Sequence, residues 1–176
     1  AASRRKLAFS TPPPASKTAG ATFSAVVQVQ DSNGNVVAGS TAAITIGSTT
    51  VNAVAGVATF SSLSIATAGT YTLTATSPGL SNAVSTSITI TAATASKLVF
   101  TTQPGSGTAG QPLSPAPVVQ VQDAYGNLTK STVSVTAGTS TVTSVSGVAT
   151  FSNVVFTTAG NYTLTASSSG LASAVS

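Results

Sequence analysis

The sequence predicts an all-β chain of two tandem β-sandwich domains, residues 1–91 and 92–176. Three observations carry that expectation. A block of about 90 residues occurs twice, the mark of a repeated structural unit. Within each block, short stretches alternate apolar with small polar residues at a period of two, as half-buried strands do. No stretch shows a helical period. A β-solenoid would repeat every 20 to 30 residues or so, far below the spacing seen.

Taken in order, the first predicted strand is Lys6 to Ser10, stopped by Pro12-Pro13-Pro14, which have no N–H to give a ladder. The second block has Gln103-Pro104-Gly105 at the same place. A longer strand, about Thr22 to Gln30, puts Phe23, Ala25, Val27 and Val29 on one face. Asp31-Ser32-Asn33-Gly34-Asn35 then turns the chain, as Asp123-Ala124-Tyr125-Gly126-Asn127 does later. Asn-Gly signals a hairpin because both residues accept positive φ. Strands follow at Ile44 to Ile46, Val51 to Ala53 and Val57 to Ile65, the last alternating Val57, Thr59, Ser61 and Leu63 against Ala58, Phe60, Ser62 and Ser64. Thr67 to Ala75 is a tyrosine-bearing strand, and Pro78-Gly79 turns it into a last strand, about Ala83 to Ile90. The spacer Thr91–Ser96 is short and has no glycine run, so the two sandwiches are expected end to end, with little bending and a small interface.

The blocks keep a nearly constant register. Lys6-Leu7-Ala8-Phe9 returns as Lys97-Leu98-Val99-Phe100, 91 residues on. Val26 to Asp31 returns as Val118 to Asp123, 92 residues on, which places one extra residue in the second block's first loop. Gly56 to Ser61 returns as Gly147 to Ser152, again at 91. Length changes confined to loops between fixed strands are what a preserved core predicts.

The tyrosine stretch defines the kind of sandwich. Thr67-Ala68-Gly69-Thr70-Tyr71-Thr72-Leu73-Thr74-Ala75 returns as Thr158-Ala159-Gly160-Asn161-Tyr162-Thr163-Leu164-Thr165-Ala166. In immunoglobulin-like sandwiches a tyrosine opens strand F, two residues before a cysteine, and its hydroxyl bonds back to the corner. Leu73 and Leu164 stand at that cysteine's place. Both tyrosines are expected to be buried, with each hydroxyl bonded to its own corner. Phe23, Phe60 and Phe151 fall at strand positions that suit the core.

Composition removes most chemistry. Charged residues are 5% of the chain, against about 25% in an average globular protein. Asp31 and Asp123 are the only acids, and histidine and glutamate are absent, so general acid–base catalysis and metal ligation lack their usual side chains. The chain therefore reads as non-enzymatic, with no cofactor, metal or catalytic residue. Cysteine is absent, which excludes disulfides, thioester cross-links and thiolate zinc sites but does not place the protein in the cytosol. Of the +4 net charge, Arg4, Arg5 and Lys6 form a solvated basic start; without interleaved aromatics it does not read as a nucleic-acid surface. No apolar run reaches the roughly 20 residues that span a bilayer, and no apolar segment follows the basic start as in a secretory signal. The chain reads as an excerpt of something longer, and its Thr, Ser, Ala, Val and Gly richness suits an exposed extracellular protein.

Three pieces occur in the same order in both blocks: Val29-Gln30-Asp31-Ser32-Asn33-Gly34-Asn35-Val36-Val37-Ala38-Gly39, then Gly56-Val57-Ala58-Thr59-Phe60, then Ala68-Gly69-Thr70-Tyr71-Thr72-Leu73-Thr74-Ala75. Together they resemble the bacterial immunoglobulin-like domains of invasin and intimin type, over nearly the whole chain. Where that family commonly has proline after Gly-Asn, this chain has Val36 and Leu128. The resemblance implies a repeated extracellular module of bacterial cell-surface adhesins, acting as a stalk or filament element, with neighbouring immunoglobulin-like repeats or copies of itself as partners. Binding in such proteins tends to lie in a terminal domain of different sequence, and nothing here resembles one.

Several motifs that suggest chemistry have plainer readings. Asp31, Asn33 and Asn35 have the oxygen spacing that begins a calcium loop, but Tyr125 breaks it in the second block and each loop offers one carboxylate, so a hairpin turn is expected. An intramolecular Lys–Asn bond would join Lys6 or Lys97 to a last-strand asparagine, but Asn82 becomes Ser173 in the second block and the acids sit in turns. Asn127-Leu128-Thr129 and Asn161-Tyr162-Thr163 match the glycosylation pattern, which a threonine-rich chain produces by chance. The alternative function is a loop-mediated glycan- or protein-binding module, with Tyr125 as its exposed aromatic.

In the first block Ser85 is followed by Thr86-Ser87-Ile88-Thr89-Ile90-Thr91, which should complete the final strand; its counterpart Ser176 is the last residue of the sequence. The second sandwich is thus expected to lack most of that strand and to present an apolar cleft with unpaired backbone. Two readings follow. Either the chain is a piece of a longer stalk, or another molecule donates the strand, with Arg4-Arg5-Lys6-Leu7-Ala8-Phe9 as candidate donor, giving head-to-tail filaments.

Overall fold

In the computed structural model, which describes residues 5–176, every regular element is a strand. The chain divides into two units, Ala1–Thr91 and Ala92–Ser176.

The first unit contains β1 (Lys6–Thr11), β2 (Ser16–Thr18), β3 (Phe23–Gln30), β4 (Ala43–Ile46), β5 (Thr49–Asn52), β6 (Val57–Leu63), β7 (Gly69–Tyr71), β8 (Thr74–Thr76), β9 (Ala83–Val84) and β10 (Ile88–Thr91). One layer is the sheet β1-β3-β6. The other is β5-β4-β8-β9, continued as β2-β10-β7, because β7 with β8 and β9 with β10 are successive halves of two chain runs. This is an immunoglobulin-like order. Alternation on β3 buries Phe23, Ala25, Val27 and Val29, which meet Ile44, Phe60, Ala75, Ile88 and Ile90 as the apolar interior. Removing such side chains from water is the main favourable term for a chain with so few charges.

The second unit repeats the plan with fewer strands: β11 (Ala95–Thr102), β12 (Val118–Asp123), β13 (Ser134–Ala137), β14 (Ser140–Thr143), β15 (Val148–Thr150), β16 (Thr165–Ser167) and β17 (Ala174–Val175). Its sheets are β11-β12-β15 and β14-β13-β16-β17. Val119, Val121, Val135, Ala149, Phe151, Leu164 and Ala166 form the core cluster.

Several expectations are corrected. The alternation across Val57 to Ile65 slips after Phe60: Ala25 pairs with Phe60 but Phe23 with Leu63, so β6 carries one extra residue and buries Leu63. Such a bulge re-phases a strand while keeping its core face. The tyrosine run and the last strand are each broken once, at the same level. There the Leu73 N–H donates to Ser85 Oγ at 2.9 Å and the Ser85 N–H donates to the Leu73 carbonyl at 2.8 Å, so a side chain replaces one ladder acceptor. Strand β2, only three residues long, gives no periodic signal and was not anticipated.

The extra residue of the second unit is not in its first loop. Gly20 N–H donates to the Ile65 carbonyl at 2.9 Å and Gly110 N–H to the Phe156 carbonyl at 2.8 Å, which makes Gly110 the counterpart of Gly20. The first loop is therefore one residue shorter. Two residues, Pro115-Ala116, are instead inserted inside the second strand, between Ser114 and Pro117. Neither Pro115 nor Pro117 has an N–H, so β12 starts at Val118 where β3 already starts at Phe23.

The basic start is not a free donor strand. Arg4 lies outside the described residues, and Lys6 to Phe9 is laddered in β1, from Lys6 opposite Gln30 to Phe9 opposite Val27.

Candidate functional site

The two aspartates, the only acids of the chain, both close turns. At Asp31 the Asn33 and Asn35 N–H groups each donate to Oδ1 at 2.9 Å, and the Asn35 side-chain amide donates to Oδ2 at 3.2 Å. Gly34, with φ of 90°, reverses the chain, while Asn33 keeps a negative φ. The turn is thus an aspartate-organised loop and not the paired positive-φ hairpin that Asn-Gly suggested. These donors hold the Asp31 carboxyl below its ordinary pKa, the Asn35 backbone N–H contributing most.

Asp123 is bound more tightly. Tyr125 and Asn127 N–H groups donate to Oδ1 at 2.9 and 2.8 Å, and the Asn127 side-chain amide and Ala93 N–H donate to Oδ2 at 2.8 Å each. The residue is fully buried. Burial pushes its pKa up, but the Asn127 amide and the three backbone donors outweigh that and hold the carboxyl below its ordinary value. Ala93 belongs to the predicted spacer, so the carboxylate pins the entry of the chain into the second unit. The counterpart of Ala93 in the first block, Ala2, lies outside the described residues.

The second unit also holds a polar cluster, at Thr129, Ser131 and Ser144, that sequence reasoning missed. Thr129 Oγ1 lies 3.0 Å from both the Val121 carbonyl and Ser131 Oγ, donating its one proton to either. Ser144 Oγ donates to the Ser131 carbonyl at 2.9 Å and accepts from the Val133 N–H at 2.9 Å. Thr129 and Ser144 are buried, where the first unit has Val37 and Ala53. That pair of apolar-to-hydroxyl exchanges was the available signal. Among the described residues no buried side-chain nitrogen or oxygen lacks a partner.

The tyrosine corners form as expected in one respect and differ in another. Tyr71 donates to the Thr67 carbonyl at 3.0 Å and Tyr162 to the Thr158 carbonyl at 2.8 Å. Neither ring is buried: Tyr71 is half-buried and Tyr162 is 47% exposed. Tyr162 instead stacks on Phe156, ring centroids 4.1 Å apart and planes 11° from parallel. Beside this stack lies a groove of about 380 Å³ lined by Gly107, Thr108, Leu113, Phe156, Tyr162 and Leu164 among others. Its floor is apolar, since Leu113 and Phe156 pack against the core and Leu164 is part of it.

Other residues singled out from sequence separate clearly. Tyr125 is 54% exposed at its turn, as expected, but Tyr162, which the strand pattern places in the core, is a second exposed ring. Asn127 is buried with its amide on Asp123, which leaves it unsuited to carry a glycan, whereas Asn161 is exposed beside the groove. The calcium-loop oxygens of Asp31 are acceptors for turn N–H groups, and Asn35 points its NH2, not its oxygen, at them.

No protein-family model and no curated protein sequence matches the chain. Solved structures do. The Yersinia pseudotuberculosis adhesin InvE is 18% identical at a TM-score of 0.41, covering 98% of this chain and 57% of its own. InvD of the same organism is 15% identical at 0.41, covering 100% of this chain and 67% of its own. A Parabacteroides merdae β-glucuronidase is 13% identical at 0.36, covering 98% of this chain and 24% of its own. This chain thus spans little over half of InvE and about a quarter of the glucuronidase. Adhesins and a glycosidase stand close together at these scores, so the architecture rests on the chain's own ladders.

Proposed function

We propose that the chain is a non-enzymatic spacer module of an extracellular bacterial surface protein, of the kind that forms adhesin stalks. The observation that carries this reading is one immunoglobulin-like plan built twice, with the spacer residue Ala93 bonded to the buried Asp123 at 2.8 Å. That bond lies within the second unit and fixes the place where its chain begins. Both carboxylates of the chain are taken up by turn donors, so neither is poised as a general acid or base. The resemblance of the three repeated motifs to bacterial surface modules supports the extracellular setting.

Pulling single molecules tests the spacer role. Two separate unfolding events are expected, each releasing about 300 Å of chain. A single event releasing the whole chain would overturn the modular reading. The exposed Tyr125 favours one competing function, recognition of a glycan or protein by the turn. A glycan array or pull-down is expected to give no signal; a ligand lost on Tyr125→Ala would replace the spacer by a binding module.

A further inference from the structure

We propose that Asn33 is a self-modification site: its side-chain amide cyclises onto the Gly34 backbone nitrogen, and water opens the ring to aspartate or isoaspartate. Asn33 is the one asparagine of the sequence that a glycine follows; the others precede Val36, Ala53, Ala83, Leu128, Val154 and Tyr162. A side chain on the following residue crowds the attacking nitrogen, and glycine has none. The structure adds conditions that the pair of letters does not supply. Asn33 and Gly34 are both exposed, so hydroxide and water reach them. A Cβ at Gly34 would meet no atom within 4 Å, which leaves space beside the turn for a five-membered ring. The Gly34 N–H donates to the Asp31 carbonyl at 3.2 Å, at the long, weak end of N–H···O bonds. Asn33 is anchored through its backbone, its N–H on Asp31 Oδ1 at 2.9 Å, whereas the amides of Asn35 and Asn127 are held on aspartate Oδ2 atoms. The matching turn of the second unit has Tyr125 before Gly126, with the same glycine φ of 90°, so the modification is confined to the first unit.

The chemistry needs only water and hydroxide. Hydroxide removes the Gly34 amide proton, and the freed electron pair attacks Asn33 Cγ. The Cγ–Nδ2 bond breaks, and the amide group leaves as ammonia after taking a proton from water. The product is a succinimide closed through Gly34 N and the Asn33 C, Cα, Cβ and Cγ atoms. Water then adds to one of its two carbonyls. Opening between Cγ and the nitrogen leaves an ordinary backbone with aspartate at position 33. Opening between the backbone carbonyl carbon and the nitrogen leaves isoaspartate, whose chain runs through Cγ and whose old main-chain carbonyl is a free carboxylate. Either product sets a second negative charge beside Asp31, and like charges repel. Isoaspartate also adds a methylene to the backbone between residues 33 and 35, whose N–H groups share Asp31 Oδ1. The Asn35 N–H is then carried off its acceptor. The Asp31 turn thus loosens as the molecule ages, and the Asp123 turn does not. The proposal is independent of the spacer reading.

The test incubates the whole folded chain in mildly alkaline buffer, beside the same chain in mildly acidic buffer. An Asn33→Tyr variant, which copies the second unit's turn, is the control. Peptide mapping by mass spectrometry locates each conversion, and hydroxylamine, which cleaves a succinimide, traps the ring. Conversion at Asn33 should be at least about tenfold faster than at any other asparagine, since Gly34 alone adds no side chain beside the attacking nitrogen. This comparison is made within one chain and does not depend on the variant. Conversion should quicken with pH, and hydroxylamine should cut the chain between residues 33 and 34 while leaving the variant whole. In the aged chain hydrogen exchange at the Asn35 N–H should rise, with the Asn127 N–H unchanged. The proposal is overturned if Asn33 converts no faster than the other asparagines or as fast in acid as in alkali. It is equally overturned if hydroxylamine cuts chain and variant alike, or if the aged chain exchanges Asn35 as before.

Discussion

The two units are the same plan at two levels of completion. In the first, β10 fills the space between β2 and β7, and both neighbours are ordered strands paired to it. In the second, the equivalents 106–108 and 160–162 stand outside any ladder, β15 has three residues where β6 has seven, and β12 starts late after Pro117. Yet both tyrosine hydroxyls find their corner carbonyls four residues back, and both serine clasps form. The difference separates two kinds of order. The corner spans four residues and the clasp twelve, and both form in each unit, whereas a ladder needs its partner strand. The second unit has polar devices of its own, the bonds of the buried Asp123 and a separate set among Thr129, Ser131 and Ser144.

The largest expected effect comes from the shared core. Phe60 and Phe151 are 1% and 0% exposed at matching positions, so Phe→Ala should cost about 3 to 5 kcal/mol in either unit. The thinner second unit should be unfolded outright by Phe151→Ala while the first melts unchanged, and Phe60→Ala should leave the first folded but weakened. Calorimetry with hydrogen exchange resolves the two; equal responses would break the comparison.

Next come the aspartates. Asp123→Ala leaves four donors, three of them backbone, without their acceptor, and should destabilise the second unit by about 2 to 3 kcal/mol. It should also raise exchange at Ala93. Asp31→Ala, on an exposed turn, should have a clearly smaller effect on the first unit, measured by urea denaturation of each variant.

Acid provides the same contrast without mutation. Both carboxyls have pKa values below ordinary in the folded chain. Their contribution is therefore complete above the unfolded value of about 3.9 and is lost as pH falls through the depressed folded values. Stability of the second unit should fall more than that of the first below about pH 4, and Asp123→Ala should flatten that dependence. A second unit indifferent to acid would refute the Asp123 lock.

The smallest effect is expected at the corners. Tyr71→Phe and Tyr162→Phe each remove one hydroxyl bond from a partly exposed ring, worth about 0.5 to 1 kcal/mol. Because Tyr162 keeps its stack on Phe156, its ring packing survives the change. A much larger loss at Tyr162 would mean that the corner, and not the core, organises the second unit.

The sequence by itself determined the class, the repeat, most strand positions, the inward face of β3 and the aspartate turns. Those features depend on neighbours in the chain: alternation needs only successive residues, and an aspartate turn spans five. Only the tertiary structure decided the rest. The phase slip on β6 follows from how two strands register, and the position of Pro115-Ala116 shows only through the bonds of Gly20 and Gly110. The exposure of Tyr162 was invisible because its stretch differs from that of Tyr71 only by Asn161 for Thr70, and what sets them apart is the strand alongside. The Asp123 lock was hidden for the same reason, since its decisive donor, Ala93, lies 30 residues away and contributes a backbone N–H that no residue type announces.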